Sequence, residues 1–538
     1  MKKKALFKIL LPAGITAALA GAMILGMCLN SYVIRRQLRS MPEIFFPQIG
    51  GENAKLDMVM NMLKYAYVDS VDVNKIEETA IQSVIKELDP HTVYIPLEDM
   101  PKVTEDMAGN FGGIGIQFYK YLDTVTVIRA IPDGPSARQG VKAGDRIVKV
   151  NDSIVAGRKM EDKKIMSMMR GEMGTSVNIT ILRRGEKSLI TKQITRGAIP
   201  VKSVDAAYMV NDTIGYIKVN TFGMNTYDEF MDALNKLKNA GMKKAIVDLR
   251  NNEGGLLPIA LKMVNEFLEA EQLILYTKGK AYPRTDYYSN GRGIYKELAL
   301  SVLINESSAS ASEIFAGAIQ DNDRGQIVGR RSFGKGLVQE QRVLPDGSAL
   351  RLTVARYYVP SGRSIQRSYS EGKEKYYSDF YDRVLHGELE AKDSIHFDES
   401  QRFQTVGGRT VYGGGGIMPD IFVPADTLGY SDYFVQLNRS MQLYNYTFDF
   451  MDRHRTEMEK CKNYREVQKL LSKYDIVGEM VQYAAKNGIK KSDKGLKDSY
   501  SLIKNQLEAY IARHVLDDAG FYPILGLTDV TLLEAIKN

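Results

Sequence analysis

The chain has 538 residues, more than one compact hydrophobic core supports, so several domains are expected. Hydrophobic residues make up 44% and charged residues 25%, which is typical of a folded globular protein and argues against a long disordered arm. The net charge of +7 is spread along the chain without blocks of like charge, so no nucleic-acid partner is expected.

The two cysteines, Cys28 and Cys461, exclude a disulfide framework and a cysteine-based metal site. Cys28 lies in a largely apolar run from Ile9 to about Val33 that follows several lysines. This run is longer than the apolar core of a cleavable signal, about 7–15 residues, and long enough for a membrane-spanning helix, about 20. It predicts an uncleaved anchor over residues 1–36, with a cleaved signal peptide as the alternative. The methionine before Cys28 is too large for a lipoprotein cleavage box.

The next two segments differ in character. Residues 50–109 are predicted to be a helical region, because apolar residues recur at helical spacing from Leu56 to about Asp89, where Pro90 stops the last helix and a short loop at 91–95 follows. Residues 110–198 are predicted to form a β-rich module. Its strand-like stretches, bounded by glycines and turn residues, lie at 115–118, 125–128, 146–150 and 177–181.

From residue 199 to about 427 strands and helices alternate, which predicts a layered α/β domain. The predicted strands are 214–219, 245–249, 273–276, 300–304 and 421–423; the predicted helices are 226–239, 258–268 and one that starts near Ser310. Residues 366–410 are polar and rich in tyrosine and are interpreted as a surface insertion. Residues 428–538 are predicted to be a helical extension from their apolar spacing.

Ser310 lies where a predicted buried strand joins a helix. A serine there has its hydroxyl at the positive end of the helix dipole, and the amide of Ala311 is free to bind a developing oxyanion. The sequence from Ser310 to Glu313 also matches a capping box, so simple helix capping is the alternative explanation.

Lys335 stands between two glycines. The stretch 329–335 nearly matches the phosphate-binding loop motif of nucleotide-binding proteins. However, Gly336 replaces the Ser or Thr that would bind magnesium and a strand-like segment follows, so a nucleotide site is disfavoured. A solvated turn is the ordinary interpretation of such a lysine. If it is buried beside Ser310, desolvation lowers its pKa and leaves a neutral amine that can accept the serine proton. A histidine triad is disfavoured, because no histidine occurs between residues 92 and 385.

Two glycine turns offer further backbone amides. The segment 247–255 ends a predicted buried strand, and the amide of Gly254 or Gly255 is a candidate second oxyanion donor, although a tight strand-to-helix turn explains the glycines equally well. The segment 112–116 opens a strand and could present its amides to the carboxylate of a peptide that adds as a further strand.

Together these segments resemble the C-terminal processing (tail-specific) peptidases, a serine peptidase family, over roughly residues 55–425. The motifs are the serine-rich run 308–313, the Phe-Gly-Lys-Gly at 333–336 and the glutamine at 339; the segments 89–92 and 416–420 also match family signatures. The resemblance implies that Ser310 is the nucleophile, that Lys335 is its base and that Gln339 orients the lysine.

The resemblance further implies an oxyanion hole from Ala311 with Gly254 or Gly255. The segments 112–116 and 140–145 are similar to a PDZ domain, which implies that Gly113, Ile114, Gly115 and Ile116 bind substrate tails. The implied fold is α/β and multidomain, with a layered, crotonase-like peptidase core at 199–427, a PDZ domain at 110–198, a helical N-terminal region and a helical C-terminal extension.

The expected function is a serine endopeptidase of the cell envelope, anchored in the inner membrane with its catalytic part in the periplasm, that captures protein C-termini. No metal or organic cofactor is expected, and the C-terminal helices are candidates for homo-oligomer or adaptor contacts. The alternative is a non-catalytic envelope scaffold that binds protein tails, in which Ser310 only caps its helix. An acyl-CoA enzyme with similar core layering finds the least support.

Overall fold

The computed structural model describes residues 54–538, so the predicted anchor lies outside the described residues. The described residues fall into two units, which divide between Leu88 and Asp89. The described part of the first unit consists of two helices, α1 (Ala54–Ala66) and α2 (Val73–Lys86). The carboxylate of Asp72 caps α2 by accepting a hydrogen bond from the amide of Lys75 at 3.1 Å.

The second unit opens with a short strand and a helix and continues with the predicted β-rich module. The elements are β1 (Val93–Ile95), α3 (Met100–Ala108), β2 (Asn110–Gly113), β3 (Ile116–Tyr121), β4 (Thr124–Ala130), α4 (Pro135–Arg138), β5 (Arg146–Val150), β6 (Ser153–Ile154), α5 (Asp162–Met169), β7 (Ser176–Leu182), β8 (Ile190–Thr195) and β9 (Gly197–Pro200). Strands β2 and β9 pair antiparallel, which brings the two ends of the module together. In the main sheet the order is β3-β4-β5-β7-β8, so β3 is an edge strand.

A layered α/β domain follows, as the alternation of strands and helices predicts. Its first elements are β10 (Val204–Met209), β11 (Ile214–Val219), α6 (Thr226–Asn239), β12 (Lys244–Asp248), α7 (Leu257–Asn265), β13 (Leu273–Lys278), β14 (Thr285–Tyr288), β15 (Ala299–Ile304), α8 (Ala311–Asp321) and β16 (Gln326–Gly329). Strand β11 is buried at every position, which explains why its sequence shows no polar alternation.

The domain is completed by β17 (Leu337–Val343), β18 (Ala349–Tyr358), α9 (Lys373–Leu385), β19 (Arg402–Gln404), β20 (Thr410–Tyr412) and β21 (Ile421–Phe422). One sheet has the order β10-β11-β12-β15-β16-β21, in which β10 is antiparallel to β11 and the remaining neighbours are parallel. A second sheet joins β1, β18, β13 and β14, with β17 paired to β18. Helices α6, α7 and α8 share one hydrophobic core with residues from both sheets.

The segment 366–410 is less superficial than its composition predicts. Tyr376 and Arg383, both on α9, are buried. The guanidinium of Arg383 donates to the backbone carbonyls of Arg331 and Ser332, at 2.8 and 3.2 Å. The helix therefore packs on the loop that leads to Lys335, a contact that a polar composition does not reveal.

The predicted helical extension is confirmed. It comprises α10 (Asp432–Arg439), α11 (Gln442–Met458), α12 (Tyr464–Leu471), α13 (Ile476–Lys486), α14 (Asp493–Leu516), α15 (Asp518–Leu525) and α16 (Val530–Lys537). Most of these helices surround a core of their own, whereas α16 covers the second face of the β10–β21 sheet through Leu532 and Ala535.

Over residues 54–538 no single helix has the length and apolarity needed to cross a membrane. One pair of helices, Asp518–Thr528 with Val530–Lys537, satisfies length and composition together but is bent by 78°.

Candidate active site

Ser310 occupies the junction between β15 and α8 with an unusual backbone conformation. Its φ of +55° and ψ of −113° lie where residues other than glycine rarely occur. Its amide donates to Oε2 of Glu313 at 2.9 Å, so the predicted pairing of these two residues is present. A residue that only caps a helix takes extended backbone angles, so capping alone does not explain the conformation of Ser310.

The buried carboxylate of Glu313 joins the serine segment to the lysine segment. Its Oε1 accepts from Oγ of Ser332 at 2.5 Å and from the amide of Gly334 at 2.7 Å. Its Oε2 accepts from the amide of Lys335 at 2.8 Å as well as from Ser310. Burial raises the pKa of Glu313, and the four hydrogen bonds oppose that shift. One carboxylate thus fixes the backbone of both segments.

Tyr357 of β18 makes a second connection between the same two segments. Its hydroxyl lies 3.1 Å from the carbonyl oxygen of Ser310 and 2.8 Å from that of Lys335, so its one O–H hydrogen is shared between the two acceptors. The ring is buried, and burial raises the pKa of this phenol well above its usual value, so it remains a donor at neutral pH. Ser310 and Lys335 are therefore held next to each other by contacts at both ends of their backbones.

The side chain of Lys335 is half-buried and anchored at its tip. Its Nζ donates to Oε1 of Gln339 at 3.1 Å. Burial lowers the pKa of Lys335, and the positive charge of Arg351 lowers it further. The amide group of Gln339 in turn donates to the carbonyl of His91 at 2.5 Å. The contacts with Gln339 fix the position of the amine, while burial and the charge of Arg351 favour the loss of its proton.

His91 supports this arrangement through its backbone. Its ring Nε2 is 2.7 Å from the hydroxyl of Tyr376, and burial together with the charge of Lys335 lowers the pKa of His91 to about 4. Its amide donates to Oδ1 of Asp89 at 2.8 Å, and Thr353 of β18 donates to the same oxygen at 3.0 Å. The imidazole of His91 thus hydrogen-bonds to Tyr376, while the backbone carbonyl of His91 positions Gln339.

The glycine turn after β12 lies against Ser310. A Cβ atom added to Gly254 would be 2.8 Å from Cβ of Ser310 and 2.8 Å from the amide nitrogen of Ala311, and the φ of Gly254 is +101°. The amide of Gly254 donates to Oδ1 of Asn252 at 2.9 Å, which occupies it. Within residues 54–538, no hydrogen bond is assigned to the amides of Gly255 and Ala311. Of the two predicted glycines, Gly255 is therefore the one whose amide has no hydrogen-bond acceptor among the described residues.

The loop that carries these glycines is held by the end of the chain. The guanidinium of Arg250 binds Asp248 and also binds both carboxylate oxygens of Asp529, at 2.9 and 2.6 Å. Asp529 also caps α16 by accepting from the amides of Thr531 and Leu532, each at 3.1 Å. The ion pair between Arg250 and Asp529 consequently joins the segment of the glycine turn to the start of the last helix.

The predicted tail-binding segment lines a separate groove of about 480 Å³. Its lining includes Gly113, Ile114, Gly115 and Ile116, with Met166 and Met169 of α5 opposite. Gly115 has a φ of +71°, and a Cβ there would meet Ile199 at 3.0 Å and Pro135 at 3.2 Å, which explains why glycine is required. The groove runs beside the free edge of β3.

Three family models match this chain. They are the model of peptidase family S41 at residues 213–372, that of a PDZ domain at 112–193 and that of a family of unknown function at 433–517. A probable CtpA-like serine protease of Staphylococcus haemolyticus is 32% identical over 382 residues, which cover 71% of this chain and 73% of the relative. The chain belongs to peptidase family S41.

A probable CtpA-like serine protease of Staphylococcus aureus is 35% identical to this S41 peptidase over 58% of this chain and 62% of the relative. Among solved structures, a photosystem II D1 C-terminal processing protease has 24% identity and a TM-score of 0.35, covering 71% of this chain and 95% of that chain. The expected resemblance to C-terminal processing peptidases is confirmed. The protein is a serine-type peptidase with a PDZ domain.

Several supporting residues of the S41 peptidase were not identified from the sequence. Glu313 was recognised as a capping residue, but its bonds to the lysine segment depend on tertiary contacts. Tyr357 and Asp529 carry no motif that would have drawn attention to them. The same holds for Tyr444 and Arg513, which lie in the extension and nevertheless line the tail groove.

Proposed function

We propose that this peptidase cleaves peptide bonds with a serine–lysine dyad formed by Ser310 and Lys335. The observation that carries the proposal is the hydroxyl of Tyr357, within hydrogen-bond distance of the carbonyls of both residues. Glu313 supports it by binding both backbone amides. A scaffold that only bound tails would need neither an anchored, half-buried lysine nor a serine at positive φ.

In the proposed reaction, neutral Lys335 removes the proton from Oγ of Ser310 as that oxygen attacks the scissile carbonyl carbon. The amides of Ala311 and Gly255 stabilise the resulting oxyanion. Lys335 then gives its proton to the leaving amine as the C–N bond breaks. Lys335 then deprotonates a water molecule as it attacks the acyl-enzyme carbonyl. The bond between that carbon and Oγ of Ser310 breaks, Lys335 returns the proton to Oγ, and the new carboxylate leaves. Every step uses groups of the protein and a water molecule.

A phosphonylating probe tests the nucleophile directly. A fluorophosphonate should modify Ser310 in the wild type, as located by peptide mass mapping, because the dyad raises the nucleophilicity of this hydroxyl. Lys335→Met should be labelled much more slowly, although Ser310 is still present. Labelling of another serine, or no labelling of a folded protein, would favour the scaffold.

The pH dependence of cleavage should report the environment of Lys335. The neutral amine is the active form, so kcat/KM should rise with pH through a pKa that burial and Arg351 hold below that of free lysine. Replacing Arg351 by glutamine removes a positive charge that disfavours the ammonium form, so the pKa of Lys335 should rise. The ascending limb should move to higher pH in Arg351→Gln, measured with a peptide substrate between pH 6 and 10. An unchanged limb would show that another group titrates.

We further propose that the PDZ domain captures substrate C-termini. The edge strand β3 supports strand addition, and the glycine-rich segment 113–116 supports binding of the terminal carboxylate. The bound tail would hold the rest of the substrate near the peptidase domain and raise its local concentration there. Substrates would be proteins with accessible C-terminal tails.

The remaining proposals concern architecture and location. The apolar run at 9–33 supports an anchor over residues 1–36, which would place the peptidase in the cell envelope, on the periplasmic side of the inner membrane. We retain the division into a helical region at 50–109, a PDZ domain at 110–198, a peptidase core at 199–427 and an extension at 428–538. The two sheets and their helices are compatible with crotonase-like layering. Oligomer or adaptor contacts through the extension also remain a prediction.

A further inference from the structure

The helical extension covers the outer face of the PDZ edge strand. Alternate side chains of β3, beginning with Ile116, pack on the PDZ core, so Tyr119 and Tyr121 point to the opposite face. Tyr119 meets Tyr444 edge to face with 4.9 Å between ring centroids. Tyr121 stacks on Phe448 at 5.4 Å. The face that a lone PDZ domain would leave to solvent is therefore covered by the extension.

The same extension forms part of the tail groove. Tyr444 of α11 and Arg513 of α14 line it together with β3 and with Met166 and Met169 of α5. An added peptide strand would thus lie between two different surfaces. Its side chains would point alternately to α5 and to the extension.

The position of the glycine-rich segment sets the register of that alternation. The amide of Gly171, just after α5, donates to the carbonyl of Gly112 at 3.1 Å, so the end of α5 lies beside the carboxylate-binding end of the groove. A terminal side chain there faces Met166 and Met169, and the chain runs antiparallel to β3 towards Tyr121. The first and third residues before the terminal one then face the extension.

Charged side chains line both surfaces of the groove. On the extension side, Nη2 of Arg513 pairs with Asp518 at 2.9 Å, and its side chain is 37% exposed. Its other N–H groups have no hydrogen-bond acceptor in the described part of the chain. On the α5 side the groove is lined by Asp162, which pairs with Lys120 at 2.9 Å, and by Arg170 just after α5, whose guanidinium lies 4.0 Å from the ring centroid of Phe111. Arg513 therefore favours an acidic side chain on the extension side, whereas Asp162 disfavours one on the part of the α5 side that lies away from Arg170.

We propose that Arg513 makes this peptidase select C-terminal tails with an aspartate or glutamate one or three residues before the terminal residue. Tyr444 forms the neighbouring wall, and its hydroxyl is available to the same carboxylate. This inference rests on the proposed capture of tails by the PDZ domain. It assigns the extension a part in substrate selection.

An aspartate scan tests the register. The probes are fluorescein-labelled decapeptides that are otherwise neutral and all end in the same apolar residue. Each contains a single aspartate, placed one, two, three or four residues before the terminal residue. Binding to the full-length Ser310→Ala chain in detergent is measured by fluorescence anisotropy. Aspartate should tighten binding about tenfold at the first or third position and not at the second or fourth, because the charge-assisted bond forms on one side only. Lysine at the same position should weaken binding.

Two variants separate the role of Arg513 from general effects at this interface. Arg513→Gln should abolish the preference for aspartate, so that peptides with and without aspartate bind this variant with equal Kd. Arg129→Gln removes an arginine that pairs with Asp517 of the extension at 2.7 Å but does not line the groove, and it should leave the preference unchanged. If Arg513→Gln fails to fold, the wild-type scan still decides.

The outcomes distinguish this inference from the proposal on which it rests. Equal binding at all four positions, a preference at the second and fourth positions, or a preference that survives Arg513→Gln would overturn the selection by Arg513 while leaving tail capture intact. If no peptide binds, tail capture fails and the selection fails with it.

Discussion

Replacing Lys335 by methionine should lower kcat by about a thousandfold or more, because the serine loses the only base that the proposed reaction supplies. Methionine has a similar length and keeps the backbone amide that binds Glu313. The fold and the affinity for C-terminal peptides should therefore remain. The measurement is single-turnover cleavage of an unfolded protein by the full-length chain, alongside a thermal melt.

Two further variants make this prediction specific. Lys335→Arg keeps the positive charge but cannot lose a proton near neutral pH, so it should be as inactive as Lys335→Met. The double variant Ser310→Ala with Lys335→Met should be no slower than Ser310→Ala alone, because the two residues act as one unit. Lys280→Met, at an exposed lysine outside the site, is the control and should cleave normally. A Lys335→Met enzyme with a tenth of normal activity would place the base elsewhere.

Replacing Glu313 by glutamine should have the second largest effect, about a hundredfold loss in kcat with a fall in unfolding free energy of about 2–4 kcal/mol. Each carboxylate oxygen of Glu313 accepts two hydrogen bonds. A glutamine has one acceptor oxygen, so in either orientation its NH₂ group faces two donors. The serine and lysine segments would then separate slightly, which is enough to disturb proton transfer.

The measurement compares kcat, KM and denaturant unfolding for Glu313→Gln and for Glu340→Gln. Glu340 lies on β17 and accepts from Tyr282 at 2.8 Å, so it controls for the loss of an ordinary carboxylate elsewhere in the same domain. KM should change little in Glu313→Gln, because the tail groove is a separate site. A fully active and stable Glu313→Gln enzyme would show that the carboxylate does not hold the two segments together.

The connection from Arg250 to Asp529 suggests why the chain continues beyond the peptidase core. The glycine turn that meets Ser310 is joined through this ion pair to the N-terminal end of α16. The extension therefore contacts both the proposed oxyanion loop and the proposed tail groove. One helical region therefore contacts both the site proposed for substrate capture and the site proposed for bond cleavage.

The sequence by itself determined the local elements and the family. Strand β11 and helix α6 have the predicted bounds, 214–219 and 226–239, because a mostly apolar run and a 3.6-residue period are local signals. The motif around Lys335 pointed to a base because its spacing from the serine run is characteristic of one family. The glycines at 254 and 255 were identified, but the choice between their amides was not possible.

Only the tertiary structure showed which contacts surround the residues of the proposed active site and of the groove. The amide of Gly254 is taken by Asn252, Tyr357 reaches from β18 to Ser310 and Lys335, and Arg513 enters the PDZ groove from α14. Each of these contacts either joins residues far apart in the chain or depends on the direction of one amide. Contacts of both kinds leave no periodic or compositional signal in the sequence. A sequence pattern fixes which residues share a face of one element, whereas the meeting of faces from different elements follows from packing in the folded chain.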